Sequence, residues 1–143
     1  MQTFFFGGDE RERIEVTVHG YERAPVGDFH DDNWLSVEVA VKAGAFSGRY
    51  QAAFLTEELV LFLEQLQTLH SALRGRATFA TMEEQLSISL EGDGLGHITL
   101  IGAASDQPGI GNELRFQLSL DQTQLQASLQ SLEAVVNAYP VRL

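Results

Sequence analysis

No cysteine occurs in the 143 residues, which removes disulfides, thiolate metal sites and cysteine nucleophiles together. Cations are scarce too: nine Lys and Arg stand against twenty Asp and Glu, a formal charge of −11. Such a surface repels nucleic acid, whose binding rests on neutralising phosphates with basic side chains, so no nucleic-acid partner is expected. Long apolar runs are missing. Phe4, Phe5 and Phe6 give way at once to Gly7, Gly8 and Asp9, whereas a secretory leader needs a basic start and about 7–15 apolar residues. A membrane span needs about 18. The expectation is a cytoplasmic protein with no membrane partner. No Pro/Ser-rich linker or low-complexity tract divides the chain, and residues 1–143 are read as a single domain of ordinary size.

What is present is period. The 44% apolar and 20% charged content fits a globular protein. Ile14, Val16 and Val18 alternate with polar neighbours, as do Leu35, Val37, Val39 and Val41, and then Phe46, Gly48, Tyr50, Ala52 and Phe54 beyond Gly44. Period two is the mark of half-buried strands, and the last two form a hairpin. At Thr56 the period changes. Thr56 is the expected N-cap, Glu57 and Glu58 suit the positive end of a helix dipole, and Arg74 and Gly75 close the helix. Leu59, Phe62, Leu63, Leu66, Leu69 and Leu73 recur on one face. Strands resume at Ala77–Ala80, Leu86–Leu90, Ile98–Gly102 and Leu114–Leu120. Asp121 and Gln124 make a capping box for a second helix with Leu125, Leu129, Leu132 and Tyr139 on its stripe, ended by Pro140. The fold class expected is α+β: a mostly antiparallel sheet of six to eight strands with two amphipathic helices packed on one face, built as hairpin-plus-helix stretches at residues 35–75 and 98–139. Leu63 and Leu129, each mid-stripe, are expected almost fully buried.

Chemistry-bearing patterns are few. Gly92-x-Gly94-x-Gly96 precedes a strand, whereas a phosphate loop requires a helix N-terminus after it; a glycine-rich hairpin turn is the reading. Asp28-Phe29-His30-Asp31-Asp32-Asn33 is the densest polar cluster, but it lacks calcium-loop spacing and no second His completes a zinc triad. No metal and no cofactor is assigned. No serine stands in a nucleophile elbow, and His19, His30, His70 and His97 are scattered, so the protein is read as not an enzyme. The acidic loop is read as a solvated segment suited to a basic protein partner, which charge of this sign would attract and steer. Trp34 beside it is a core or rim aromatic that would also suit an interface anchor.

The order of features from the acidic loop onward carries a resemblance. Asp32-Asn33-Trp34-Leu35 opens a strand and Gly44-Ala45-Phe46-Ser47-Gly48 turns the hairpin. Leu59 and Phe62 follow in the helix, then Glu84-x-Leu86, Gly94-x-Gly96-His97-Ile98 and Asp121-Gln122-Thr123-x-Leu125. Over roughly residues 31–140 this resembles the WapI-type bacterial immunity family. The resemblance implies a cytoplasmic protein without catalytic residues that binds and neutralises a polymorphic toxin domain. The acidic surface is compatible with a basic toxin such as a nuclease. A small acidic binding module or regulatory subunit is the alternative. Helices and alternating strands are committed to a core, so partner contacts are expected on loops: Asp28, His30, Asp31, Asp32 and Trp34 first, and Asp93 in the glycine turn second. The oligomeric state is not legible.

Overall fold

The computed structural model describes residues 1–8 and 11–143. The elements run β1 (Gln2–Phe6), β2 (Glu12–Tyr21), β3 (Trp34–Ala43), β4 (Phe46–Leu55), α1 (Thr56–Ala72), β5 (Arg74–Ala80), β6 (Leu86–Asp93), β7 (His97–Ser105), β8 (Glu113–Asp121) and α2 (Gln122–Ala138). Four strands and a helix thus occur twice. The α+β class and antiparallel pairing are as expected, with eight strands divided into two four-stranded meanders, β1-β2-β3-β4 and β5-β6-β7-β8. Alternation fixes which side of a strand is buried but not which strands share a sheet. The two hairpin-plus-helix stretches are the second halves of the two repeats.

Strand β1 has no counterpart in the sequence reading. Phe4 and Phe6 are buried and pair with Val16 and Ile14 of β2. Phe5 points to the other face, where the Arg13 guanidinium stacks 4.1 Å from its ring centre. An apolar residue on the outward face hid the alternation. A bulge between Val18 and Gly20 shifts the β2–β3 register and sets Tyr21 opposite Leu35 on the core side. There the Tyr21 ring meets Tyr139 edge-on at 5.9 Å.

Each helix lies along the first strand of the other repeat, α1 along β5 and α2 along β1, and the helices also pack on each other. The contacts include hydrogen bonds to strand backbone. The Phe5 amide donates to Ser131 Oγ of α2 at 3.3 Å, and the Thr78 amide to Gln65 Oε1 of α1 at 3.0 Å. Both helices therefore cover sheet edges. The Asp121–Gln124 capping box is present, with bonds of 2.7 and 2.9 Å. At α1 the boundary differs. Leu55 is the N-cap, and Glu58 accepts its amide hydrogen at 2.7 Å; Thr56 is buried and bonded elsewhere. Leu73, not Gly75, takes the left-handed C-cap conformation, with φ of 58°.

Leu59, Phe62, Leu66 and Leu69 form the buried stripe of α1, and Leu125, Leu129, Leu132 and Val135 that of α2. Leu129 is buried as expected. Leu63 is only half-buried, because the stripe centres on Phe62 and Leu66 and leaves it at the margin. Truncating Leu66 to Ala should accordingly cost about 2–5 kcal/mol, and Leu63→Ala clearly less. Urea unfolding of the two variants measures the difference, and equal costs would contradict this placement of the helix face.

Candidate functional site

Between β2 and β3 the chain leaves the sheet for residues 22–33, and two buried polar side chains organise this loop. Asp32 is 5% exposed. Its carboxylate accepts the Val26 amide at 3.0 and 3.1 Å, the Gly27 amide at 2.9 Å and Arg23 Nη2 at 3.4 Å. Desolvation pushes the Asp32 pKa up. The two amides and the Arg23 guanidinium outweigh it and hold the carboxyl below its ordinary value. Asn33, 2% exposed, donates from Nδ2 to the carbonyls of Phe29 at 2.6 Å and Arg142 at 3.0 Å. Its Oδ1 accepts from Thr56 Oγ1 at 2.8 Å and the Arg142 amide at 2.7 Å. One amide side chain thus fastens the loop, the start of α1 and the C-terminal tail to a single point. Arg142 adds its guanidinium, stacked 3.5 Å from the Tyr21 ring centre and donating to the Arg23 carbonyl at 2.9 Å.

On this anchor stands an exposed rim. The Asp31 amide donates to Asp28 Oδ1 at 3.2 Å, and the Asp32 amide to the Asp28 carbonyl at 2.8 Å, folding residues 28–33 into a tight turn that ends in one 3-10 turn. Asp28, Phe29, His30 and Asp31 face solvent. Val26 is 71% and Phe29 50% exposed. Trp34, half-buried at the foot of the loop, meets the His30 ring edge-on at 5.9 Å. Of the residues singled out in the sequence, Asp28, His30, Asp31 and Trp34 therefore share one surface, whereas Asp32 lies beneath it as the loop's internal acceptor. Val26 and Phe29 were not singled out, because a lone apolar residue among charges gives no period to read.

The surface continues over the start of α1. Trp34 pairs with Leu55, and Glu58 accepts the amides of Leu55 at 2.7 Å and Met82 at 2.6 Å. Burial, with Glu57 and Glu83 close by, raises the Glu58 pKa despite those two hydrogen bonds. Leu61 and Met82 are exposed beside these carboxylates. Asp93 lies elsewhere, accepting the Leu95 and His97 amides at 2.7 and 3.2 Å within the β6–β7 turn. The Gly94 amide of that turn bonds the Leu73 carbonyl at the far end of α1, a 17-residue helix that is about 25 Å long at 1.5 Å per residue. The glycine-rich segment is a hairpin turn between strands, as read. Among the described residues no group of three or more His, Asp or Glu is arranged to hold a metal ion, and no helix is long and apolar enough to cross a membrane.

The architecture and this loop can be set against known proteins. The model of the immunity protein WapI-like family matches residues 5–140. The chain belongs to that family. The match begins in β1, well before the residues that carry the resemblance by motif, and so takes in both sheets and both helices. Membership of the WapI-like family implies an immunity role exercised by binding a protein toxin. No curated protein matches the chain. A solved structure described as "Crystal structures of trypanosoma bruciei MRP1/MRP2" aligns over 96% of this chain and 84% of that chain, with a TM-score of 0.47 and 10% identity.

The anchor carries a stability prediction with a pH signature. Asn33→Ala leaves Thr56 and Arg142 groups without their buried partner and should cost about 1–3 kcal/mol. Asp32→Asn should lower the melting temperature at pH 6 to 7. The folded-state pKa of Asp32 is depressed, so its contribution is full above the unfolded value of about 3.9 and is lost as pH falls through the folded value. The deficit of Asp32→Asn should shrink below about pH 3. Thermal melts across this range measure it, and a deficit independent of pH would remove the charge from the account.

Proposed function

We propose that this WapI-like protein is a non-enzymatic immunity protein, a single cytoplasmic domain that neutralises a basic toxin domain through the exposed rim of the 26–34 loop. The observation that carries the reading is a loop fixed from below by buried Asp32 and Asn33 while Val26, Asp28, Phe29, His30 and Asp31 are exposed above, with Trp34 half-buried at its foot. A pre-ordered loop loses little entropy on binding. Its apolar and aromatic side chains supply contact area and its carboxylates steer a cationic partner. Nuclease toxins fit because they carry basic surfaces where they hold phosphates. Asp32 supports this surface from within. Asp93, at the far end of α1, belongs to the same interface only if the partner spans that length.

The test is a search for a toxin domain encoded beside this protein and its capture, followed by association rates at two salt concentrations. The variant is Asp28→Asn with Asp31→Asn, which spares Asp32 and keeps an acceptor at each position. Folding should stay within about 0.5 kcal/mol of wild type, while association slows and loses salt dependence. An unchanged rate in the folded variant removes the loop from the interface. Failure of the wild type to bind the neighbouring toxin, with capture of some other basic protein, would favour a binding module of another kind.

A further inference from the structure

Four strands end the two sheets, and they are not equivalent. The outer edges of β1 and β5 are covered by α2 and α1, which reach their backbones through Ser131 and Gln65. Among the described residues no helix lies along the outer edge of β8 or β4. Strand β8 exposes no large apolar side chain. At β4, Phe46 is 67% exposed and residues 46–49 all face solvent. Proteins blunt open edges with proline, lysine, bulges or charge. Strand β4 has no proline or lysine, its one charge, Arg49, is matched by Glu38, and its ladder with β3 runs through ten consecutive pairs without a bulge.

We propose that this edge pairs with β4 of a second copy of the chain, antiparallel about a two-fold axis at Gly48, joining the two β1–β4 sheets into one. The register follows from the backbone. Gln85 Nε2 donates to the Gln51 carbonyl at 3.3 Å, so that carbonyl points away from β3. By alternation Ser47 and Arg49 also turn their amides and carbonyls to the open side. Gln85 closes the edge at Gln51, and residues 46–50 remain. Pairing Ser47 with Arg49 of the second copy joins two outward-facing residues. It sets Phe46 opposite Tyr50, an aromatic cross-strand pair, and Gly48 opposite itself. The alternative that centres on Arg49 would oppose two guanidinium groups.

Charge points to the same place. Two copies of a −11 chain repel over most of their surface. Residues 34–55, which form the β3–β4 hairpin, carry Glu38 against Lys42 and Arg49, a balance of two cations minus one carboxylate, or +1. The hairpin that carries the open edge is thus itself free of net negative charge, although Asp106 and Glu113 lie beside it. This inference does not depend on toxin binding, whose proposed surface lies beyond the opposite end of β3.

The absence of cysteine supplies the test. Gly48 is exposed, and a Cβ added there would meet nothing within 4 Å. In the proposed register the two Gly48 residues form a non-hydrogen-bonded pair about 4.5 Å apart at Cα, which lies within the span of a disulfide. The full chain bearing Gly48→Cys should give a disulfide-linked dimer on mild oxidation. Ser87→Cys, on the exposed outer face of β6, should stay monomeric under the same conditions. In parallel, sedimentation of the wild type should show mass rising from monomer towards dimer with concentration. Phe46→Asp and Arg49→Glu, checked for folding by circular dichroism, should each shift that rise to higher concentration. A wild type of monomer mass at every concentration overturns the proposal, as does a Gly48→Cys protein that cross-links no faster than Ser87→Cys. A dimer indifferent to Phe46→Asp and Arg49→Glu places the contact elsewhere and overturns it too. A β4 edge protected from hydrogen exchange only in a complex with the toxin would give the edge to another occupant.

Discussion

The two repeats are joined at a junction of phenylalanine rings. The Phe79 ring of β5 meets Phe62 of α1 at 5.1 Å, Phe54 of β4 at 5.2 Å and Phe4 of β1 at 6.5 Å, and Phe62 meets Phe6 at 5.8 Å. Two sheets, each with one apolar face, have to bury those faces against something. Tilted and edge-on rings of this size fill the space where flat surfaces and a helix converge. The junction ties the first sheet, its helix and the first strand of the second repeat together. The position of α1 along β5, and so the protection of that edge, follows from it.

That arrangement also decides what is left for recognition. The strands of both sheets turn one set of side chains inward, and each helix spends its apolar stripe on the same core. Rigid exposed surface then has to come from connections. The β2–β3 loop is suited to this because its polar interior is fully used. Asn33 engages both the oxygen and the nitrogen of its amide, and Asp32 both oxygens. A buried polar group in that condition fixes one conformation, where a half-satisfied one would be a defect. The same residues place the loop at the start of α1, beside the carboxylates of Glu57 and Glu58, so local order and long-range field act at one end of the molecule.

Much of this was legible in the chain, and the failures share a cause. Alternation in β3 and the stripe of α2 with its Asp121–Gln124 box could be read directly, because each is a local rule expressed over consecutive residues. Strand β1 could not, since Phe5 breaks the alternation for the sake of a contact with Arg13 that lies on another strand. Asp32 and Asp31 are neighbours of the same type, and only the chain's path turns one inward to the Val26 and Gly27 amides while the other faces water. Thr56 has the chemistry of a cap. It is drawn instead to Asn33, 23 residues away. In each case a tertiary partner outvoted a sound local preference.

The distribution of charge completes the division of labour between faces and ends. Four of the nine cations are matched on the outer faces of the sheets, Arg13 with Glu15 and Arg49 with Glu38 on the first, Arg76 with Glu91 and Arg115 with Glu113 on the second, while Arg23 pairs with Asp31 and Asp32 in the loop. Exposed pairs of this kind contribute little to stability. Their larger effect is on the field, since a matched pair is nearly silent beyond the Debye length of about 8–10 Å. The carboxylates outside those pairs include Asp28 of the loop, Glu57 in the first turn of α1 and Glu83 close to Glu58. Asp28, Asp31, Glu57 and Glu83 therefore stand, with Arg23 among them, at the end of the molecule where buried Asp32 and Asn33 lock the β2–β3 loop.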